Sequence, residues 1–185
     1  LFDMEHKDGN GYAGVHVHSQ VEPNCGVINA GRAGFVQQGG SAHALYSKFG
    51  GAGGEGVRIQ QGCTGSFQGA NVDGSQSITG IRTQTSQSAF YASRASSMQF
   101  QDGSAKNSGG HGIGCHRCWI SATNADVSGA TFRAIEVSHG GRIVLNDADL
   151  SNAGEYASAI GGGAGVLVNA NGANLKGAGI ASVYP

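Results

Sequence analysis

The sequence predicts an all-β chain wound as a right-handed, single-stranded parallel β-helix of about 22 residues per coil, and three observations carry that expectation. Short apolar segments recur at a nearly fixed interval: Phe90, Ile113, Ile135, Ile160 and Ile180 are spaced 23, 22, 25 and 20 residues apart. Each anchor lies in a short run with period-two alternation, and no 3.6-residue pattern persists long enough for a helix. Glycine makes up 34 of 185 residues against only two prolines, which suits a chain of many corners and excludes collagen, whose triple helix needs abundant proline.

Each coil reads as three strands. The first carries the anchor, as in Ala134-Ile135-Glu136-Val137 and Ala89-Phe90-Tyr91-Ala92. The second follows seven or eight residues later, as in Met98-Gln99-Phe100, Ile120-Ser121-Ala122, Ile143-Val144-Leu145 and Val168-Asn169-Ala170. The third is a small residue, a polar or glycine position and an apolar one: Gly103-Ser104-Ala105, Ala125-Asp126-Val127, Ala148-Asp149-Leu150, Ala173-Asn174-Leu175. Stacking the coils gives one interior column of Phe67, Phe100, Ala122, Leu145 and Ala170. A second is Phe35, Val72, Ala105, Val127, Leu150 and Leu175. Between the second and third strands the alternation skips a beat at Gln101-Asp102, Thr123-Asn124, Asn146-Asp147 and Asn171-Gly172. Asn, Asp and Gly tolerate the positive φ of a tight corner.

The whole of 1–185 is expected to form one β-helix domain, read as an excerpt of a longer chain because it opens at Leu1 and stops at Pro185. The repeat blurs over 36–55, with its Phe49-Gly50-Gly51-Ala52-Gly53-Gly54 stretch, and over 73–87; both are expected to be loop insertions. Eleven basic and twelve acidic residues leave a formal net charge of −1, so nucleic acid is not an expected partner. No apolar run approaches the roughly 18 residues of a membrane span. Cys115-His116-Arg117-Cys118 is an isolated CxxC without a second ligand pair or a βαβ context; with Cys25 and Cys63 it reads as buried or semi-buried thiols.

The rungs from about Ala89 to Ile180 resemble the right-handed β-helix shaft of bacteriophage tailspikes and tail fibres. The segments Ala89-Phe90-Tyr91-Ala92-Ser93-Arg94-Ala95-Ser96, Gly165-Val166-Leu167-Val168-Asn169-Ala170-Asn171-Gly172-Ala173 and Gly26-Val27-Ile28-Asn29-Ala30 carry the resemblance. It implies a homotrimeric virion protein of the phage tail that binds bacterial surface polysaccharide, capsule or O-antigen, during attachment. Many such proteins also depolymerise that glycan as hydrolases or lyases, which makes depolymerase the alternative. A structural shaft or autotransporter-type adhesin is the second.

Hydrolysis of a glycan commonly uses two carboxyl groups flanking the bond. Asp126 and Asp149 fall at the same outward position on adjacent coils, and Glu136 projects outward from a first strand; these three are the candidate catalytic residues. Glu136 shares its column with Arg58, Tyr91, Gly114 and Gly161, where small residues let a sugar chain lie close and Tyr91 offers a stacking face. Arg94, Arg117 and His139 follow the first strands at corresponding places, to within a one-residue slip, and form either a weak positive stripe toward an acidic glycan or a corner stripe that bonds carbonyls or faces a trimer neighbour; with Tyr91 they are the candidate glycan-binding residues. His16 and His18 alternate with Val15 and Val17, a pair able to share a metal, but a surface or interface pair is the preferred reading. No metal site and no cofactor is expected. Trp119, Tyr46 and Phe49 are candidates for intersubunit contact.

Overall fold

The computed structural model describes residues 25–31, 33–75, 88–153, 160–163 and 165–178, together with the backbone of two short strands, Asp3–Glu5 and Val15–His16. Its architecture is a parallel β-solenoid of about five turns with about 23 residues per turn. Every regular element among the described residues is a strand.

The alternation found in the sequence sets which strand lies on which. The first sheet is built from β2 (Val15–His16), β4 (Phe35–Gln38), β6 (Val57–Gln60), β8 (Ser88–Ser93), β10 (His111–His116), β12 (Ile135–Ser138) and β14 (Ile160–Gly162), each parallel to the next. Its register places Phe35, Val57, Phe90, Ile113, Ile135 and Ile160 in one column. The second sheet stacks β5 (Ser41–His43), β7 (Thr64–Ser66), β9 (Ser97–Gln99), β11 (Trp119–Ser121), β13 (Arg142–Val144) and β15 (Leu167–Asn169). A third ladder of single bridges joins Gly26, Lys48, Asn71, Ser104, Asp126, Asp149 and Asn174. At the start of the chain, β1 (Asp3–Glu5) pairs with β3 (Gly26–Ile28).

The core is the space these three ladders enclose. Phe35, Phe49, Phe67, Phe90 and Phe100 are fully buried in it. Ring centroids lie 5.4 Å apart for Phe35–Phe67, 5.5 Å for Phe67–Phe90 and 4.4 Å for Phe90–Phe100, within the range where aromatic pairs attract. Toward the later coils the aromatics give way to Ile113, Ile135, Ile143, Leu145 and Leu150, all but fully buried.

The corners are left-handed. After the second sheet, positive φ occurs at Tyr46, Gly69, Asp102, Asn124, Asp147 and Gly172, which includes the corner read from the skipped beat. After the third ladder it occurs at Asn29, Gly51, Gly74, Asn107, Gly129, Asn152 and Gly177. Along that column each Asn is followed by a Gly on the next coil, because the Asn side chain lies over it. A Cβ on Gly129 would meet Asn107 Oδ1 at 2.5 Å.

Three sequence expectations change. Residues 36–55 are not an insertion: they hold β4, β5 and the Lys48 bridge, with Phe49 and Ala52 buried. Their glycines, Gly51 among them, belong to the corners of a regular coil. Of 73–87, residues 73–75 continue the coil past the Asn71 bridge, and the remainder lies outside the described residues. Phe35 belongs to the first column, and Phe49 takes the place expected for it beside Val72, because Lys48 pairs with Asn71. Finally, Cys115 and Cys118 form a disulfide across the corner between β10 and β11. That corner is one residue shorter than its neighbours and brings the two Cα atoms to 5.5 Å, inside the range a disulfide spans. Cys25 and Cys63 are free thiols, and burial pushes Cys63 up to about 11.

Candidate functional site

The outward face of the first sheet carries a groove of about 770 Å³. Two outward rows build it, because alternate residues of each strand point away from the core. One row is Arg58, Tyr91, Gly114, Glu136 and Gly161, matched coil to coil by the parallel register. The other is Gln60, Ser93, His116 and Ser138, two residues further along each strand. Arg94 and His139 close one side at the corner, and Ser88 and His111 close the other. The column expected around Glu136 is thus present, with Tyr91 as its only aromatic ring.

Gly114 is the floor. A Cβ there would run into Ser88 Oγ and approach the Tyr91 ring to 3.0 Å, so the Tyr91 ring leans across it. At the Glu136 end, Arg133 Nη1 donates to Glu136 Oε2, and the guanidinium covers Gly161. At the opposite end, Arg58 Nε donates to Glu55 Oε1 at 3.0 Å, and Glu55 is buried. Both ends are therefore closed by an ion pair three residues apart in sequence, each with its acid already taken.

Two histidines that sequence reasoning passed over line the groove. His111 packs its ring 5.7 Å from Phe132, and its buried Nδ1 has no hydrogen-bond partner. Burial pushes His111 down to about 4; the Glu136 carboxylate works against this and Arg133 with it. His116 hydrogen-bonds Ser138 Oγ through Nδ1 at 3.1 Å, and its ring lies 4.3 Å from that of His139. Its pKa is lowered by burial first, then by the charges of His139, Arg117 and Arg94. The sequence signal for both was position: each lies on a first strand, two before and three after the anchor Ile113.

The depressed pKa of His111 has a consequence for stability. The unfolded chain, with His near 6.5, binds this proton at a higher pH than the folded chain. The native state is therefore fully favoured above about 6.5 and loses that share of stability as pH falls toward 4. Urea unfolding of the wild type is expected to show a midpoint that drops between pH 7 and pH 4. His111→Gln should flatten that drop, and an unchanged slope in the variant would contradict the assignment.

Arg94, Arg117 and His139 occupy one column at the first corner without any slip. Arg94 N donates to His116 O and Arg117 N to Ser138 O. Arg94 and His139 line the groove; Arg117 stands between them, exposed.

Asp126 and Asp149 are neighbours on the third ladder, as expected, but they do not line the groove. Asp126 Oδ1 accepts from Ser128 N and Oγ, and Lys106 Nζ lies 3.7 Å from its other oxygen. Asp149 Oδ1 accepts from Ser151 N and from Asn174 Nδ2, both at 3.0 Å. Each caps the backbone two residues on, a role Asn71 and Asn174 fill on flanking coils.

Among the described residues no group of three or more His, Cys, Asp or Glu side chains is placed to hold a metal. His16 lies in β2, while His18 falls outside the described residues. A scan of protein-family models finds no match to the chain, and a search of curated proteins finds no relative.

Proposed function

We propose that this solenoid binds an extended polysaccharide of the bacterial surface along the groove on its first sheet, as a segment of a trimeric phage tailspike or tail fibre. The observation that carries the reading is the groove itself. It crosses β6, β8, β10 and β12, three interstrand spacings or roughly 14 Å, with polar side chains along it and one aromatic ring over a glycine floor. A sugar ring presents an apolar face and a rim of hydroxyls; Tyr91 suits the face, and Gln60, Ser138 and Glu136 suit the rim. These side chains stand on hydrogen-bonded strands, so little ordering is left to be done on binding. The exposed Trp119, Leu167 and Tyr46 are apolar surface suited to contact with neighbouring subunits of a fibre.

Binding is favoured over cleavage by paired carboxylates because Glu136 is the only acid lining the groove among the described residues. Purified capsule and O-antigen from a panel of bacteria, run in affinity electrophoresis against the chain, test the reading. At least one should be retarded, and Tyr91→Ala should weaken that retardation about tenfold, the worth of one well-placed ring contact. Retardation by none, or a Tyr91→Ala variant that binds as wild type, would overturn it. Shortening of the bound polysaccharide during incubation would instead select the depolymerase alternative.

A further inference from the structure

We infer that the groove takes an acidic glycan, with an anionic substituent of the sugar seated on the corner column of Arg94, Arg117 and His139 beside His116. The inference rests on the glycan-binding reading and adds the chemical class of ligand.

The corner itself supplies the first argument. At the other two corners the left-handed position is held by Asn, Asp or Gly at every coil except Tyr46. At the first corner Gly39, Gly40 and Gly165 hold it on the outer coils, but on the four coils between them the first left-handed residue is Gln61 (φ 63°), Arg94 (57°), Arg117 (52°) and His139 (54°), followed by Gly62, Ala95 and Gly140 where the corner is longer. A side chain other than Gly, Asn or Asp is disfavoured in this conformation, because its Cβ crowds the following carbonyl oxygen. Three cationic or protonatable residues in succession thus stand where local structure favours others, and they stand at the edge of the groove. Strain kept at one site, where the same fold relieves it elsewhere, points to a task for those side chains.

The second argument is charge. The chain as a whole has a formal net charge of −1, so this is not general basicity. The acids near the groove are committed, Glu136 to Arg133 and Glu55 to Arg58. No ion pair is formed by Arg94 or Arg117 among the described residues. The two guanidiniums, set beside the His116 and His139 rings, therefore present positive charge that no acid among the described residues pairs. The pKa of His116 is lowered by burial first, and His139, Arg117 and Arg94 push it in the same direction. A guanidinium fork matches carboxylate, sulfate and phosphate alike, so the shared chemistry is an anion carried on a sugar.

The test uses the full chain and a panel of polymers: polygalacturonate, alginate and polysialate as carboxylates, dextran sulfate as a sulfate ester, and dextran and mannan as neutral controls. Binding is measured at low and high salt beside thermal unfolding of wild type and of the double variant Arg94→Asn/Arg117→Asn. At least one acidic polymer should bind more tightly than the neutral ones and weaken with salt. The double variant should lose at least tenfold in affinity while its Tm stays level or rises, because Asn accepts the left-handed corner more readily than Arg. The tighter of the carboxylate and sulfate arms names the anion. Neutral polymers bound as tightly, or a double variant that binds as wild type, would overturn the inference and leave the glycan reading standing. A double variant whose Tm falls would overturn the corner argument; in that case Arg94→Lys/Arg117→Lys, which keeps the charge, must retain binding for the inference to survive. Binding of no acidic polymer would overturn the inference, while the reading beneath it stands or falls on the capsule and O-antigen panel.

Discussion

Phe90→Ala is expected to destabilise the chain by about 3–5 kcal/mol, the range for emptying a buried aromatic site. Phe90 is fully buried at the middle of the ladder, between Val57 and Ile113 in its own column and against Phe67 and Phe100 from the second sheet. Those neighbours are held by inter-coil hydrogen bonds on three sides, so the site cannot collapse to fill the void. Because each coil contacts mainly the ones above and below, the damage should be local in position while large in energy. Urea unfolding gives the size, and hydrogen exchange gives the place: protection should fall first in β6, β8 and β10 and least in β13. A loss under about 1 kcal/mol would mean the aromatic ladder is not what joins the early coils to the later ones.

Gly65→Ala is expected to be the most damaging single methyl group, at about 1–3 kcal/mol or more. Gly65 lies in β7 between Ala42 and Met98, and a Cβ built on it falls inside the carbonyl of Ala42. The obstacle is backbone within a parallel ladder, so no rotamer change relieves it, and β5 and β7 must separate. Gly163→Ala is the control, since a Cβ there meets nothing within 4 Å and the residue has no positive φ. Its Tm should stay within a degree or two of wild type, while Gly65→Ala falls by several degrees. Equal effects at the two positions would place the close approach elsewhere.

The outward row of the groove was readable before any coordinates. Arg58, Tyr91, Gly114, Glu136 and Gly161 share a column because each sits one residue past a first-strand apolar position, and a parallel register preserves that offset from coil to coil. The stripe of Arg94, Arg117 and His139 was readable for the same reason. What these residues experience was not. His111 owes its depressed pKa to burial first and then to Arg133, with Glu136 opposing both, and His116 meets His139 twenty-three positions on. Nor does spacing show that Asp126 and Asp149, adjacent as expected, turn their oxygens to backbone N–H groups two residues ahead.

By itself the sequence determined the repeat, the three strands per coil, the columns from Phe67 to Ala170 and the Asn and Asp corners. All of these follow from period-two alternation and from the few residue types that accept positive φ. Tertiary structure alone decided the rest. The glycines of 36–55 looked like a loop because composition records that a residue is small but not that another backbone lies against it. The sequence alone places Phe35 in the wrong column, and makes the fully buried Phe49 a loop residue and a subunit contact, because the blurred coil hides the register until Lys48 pairs with Asn71. The Cys115–Cys118 disulfide depended on a corner one residue short, and the left-handed conformation of Arg94 and Arg117 on the same corner's hydrogen bonds to the next coil. Except in the disulfide, whose partners are three residues apart, the deciding neighbour is about a full turn away in sequence, and only the stacked coils bring it into contact.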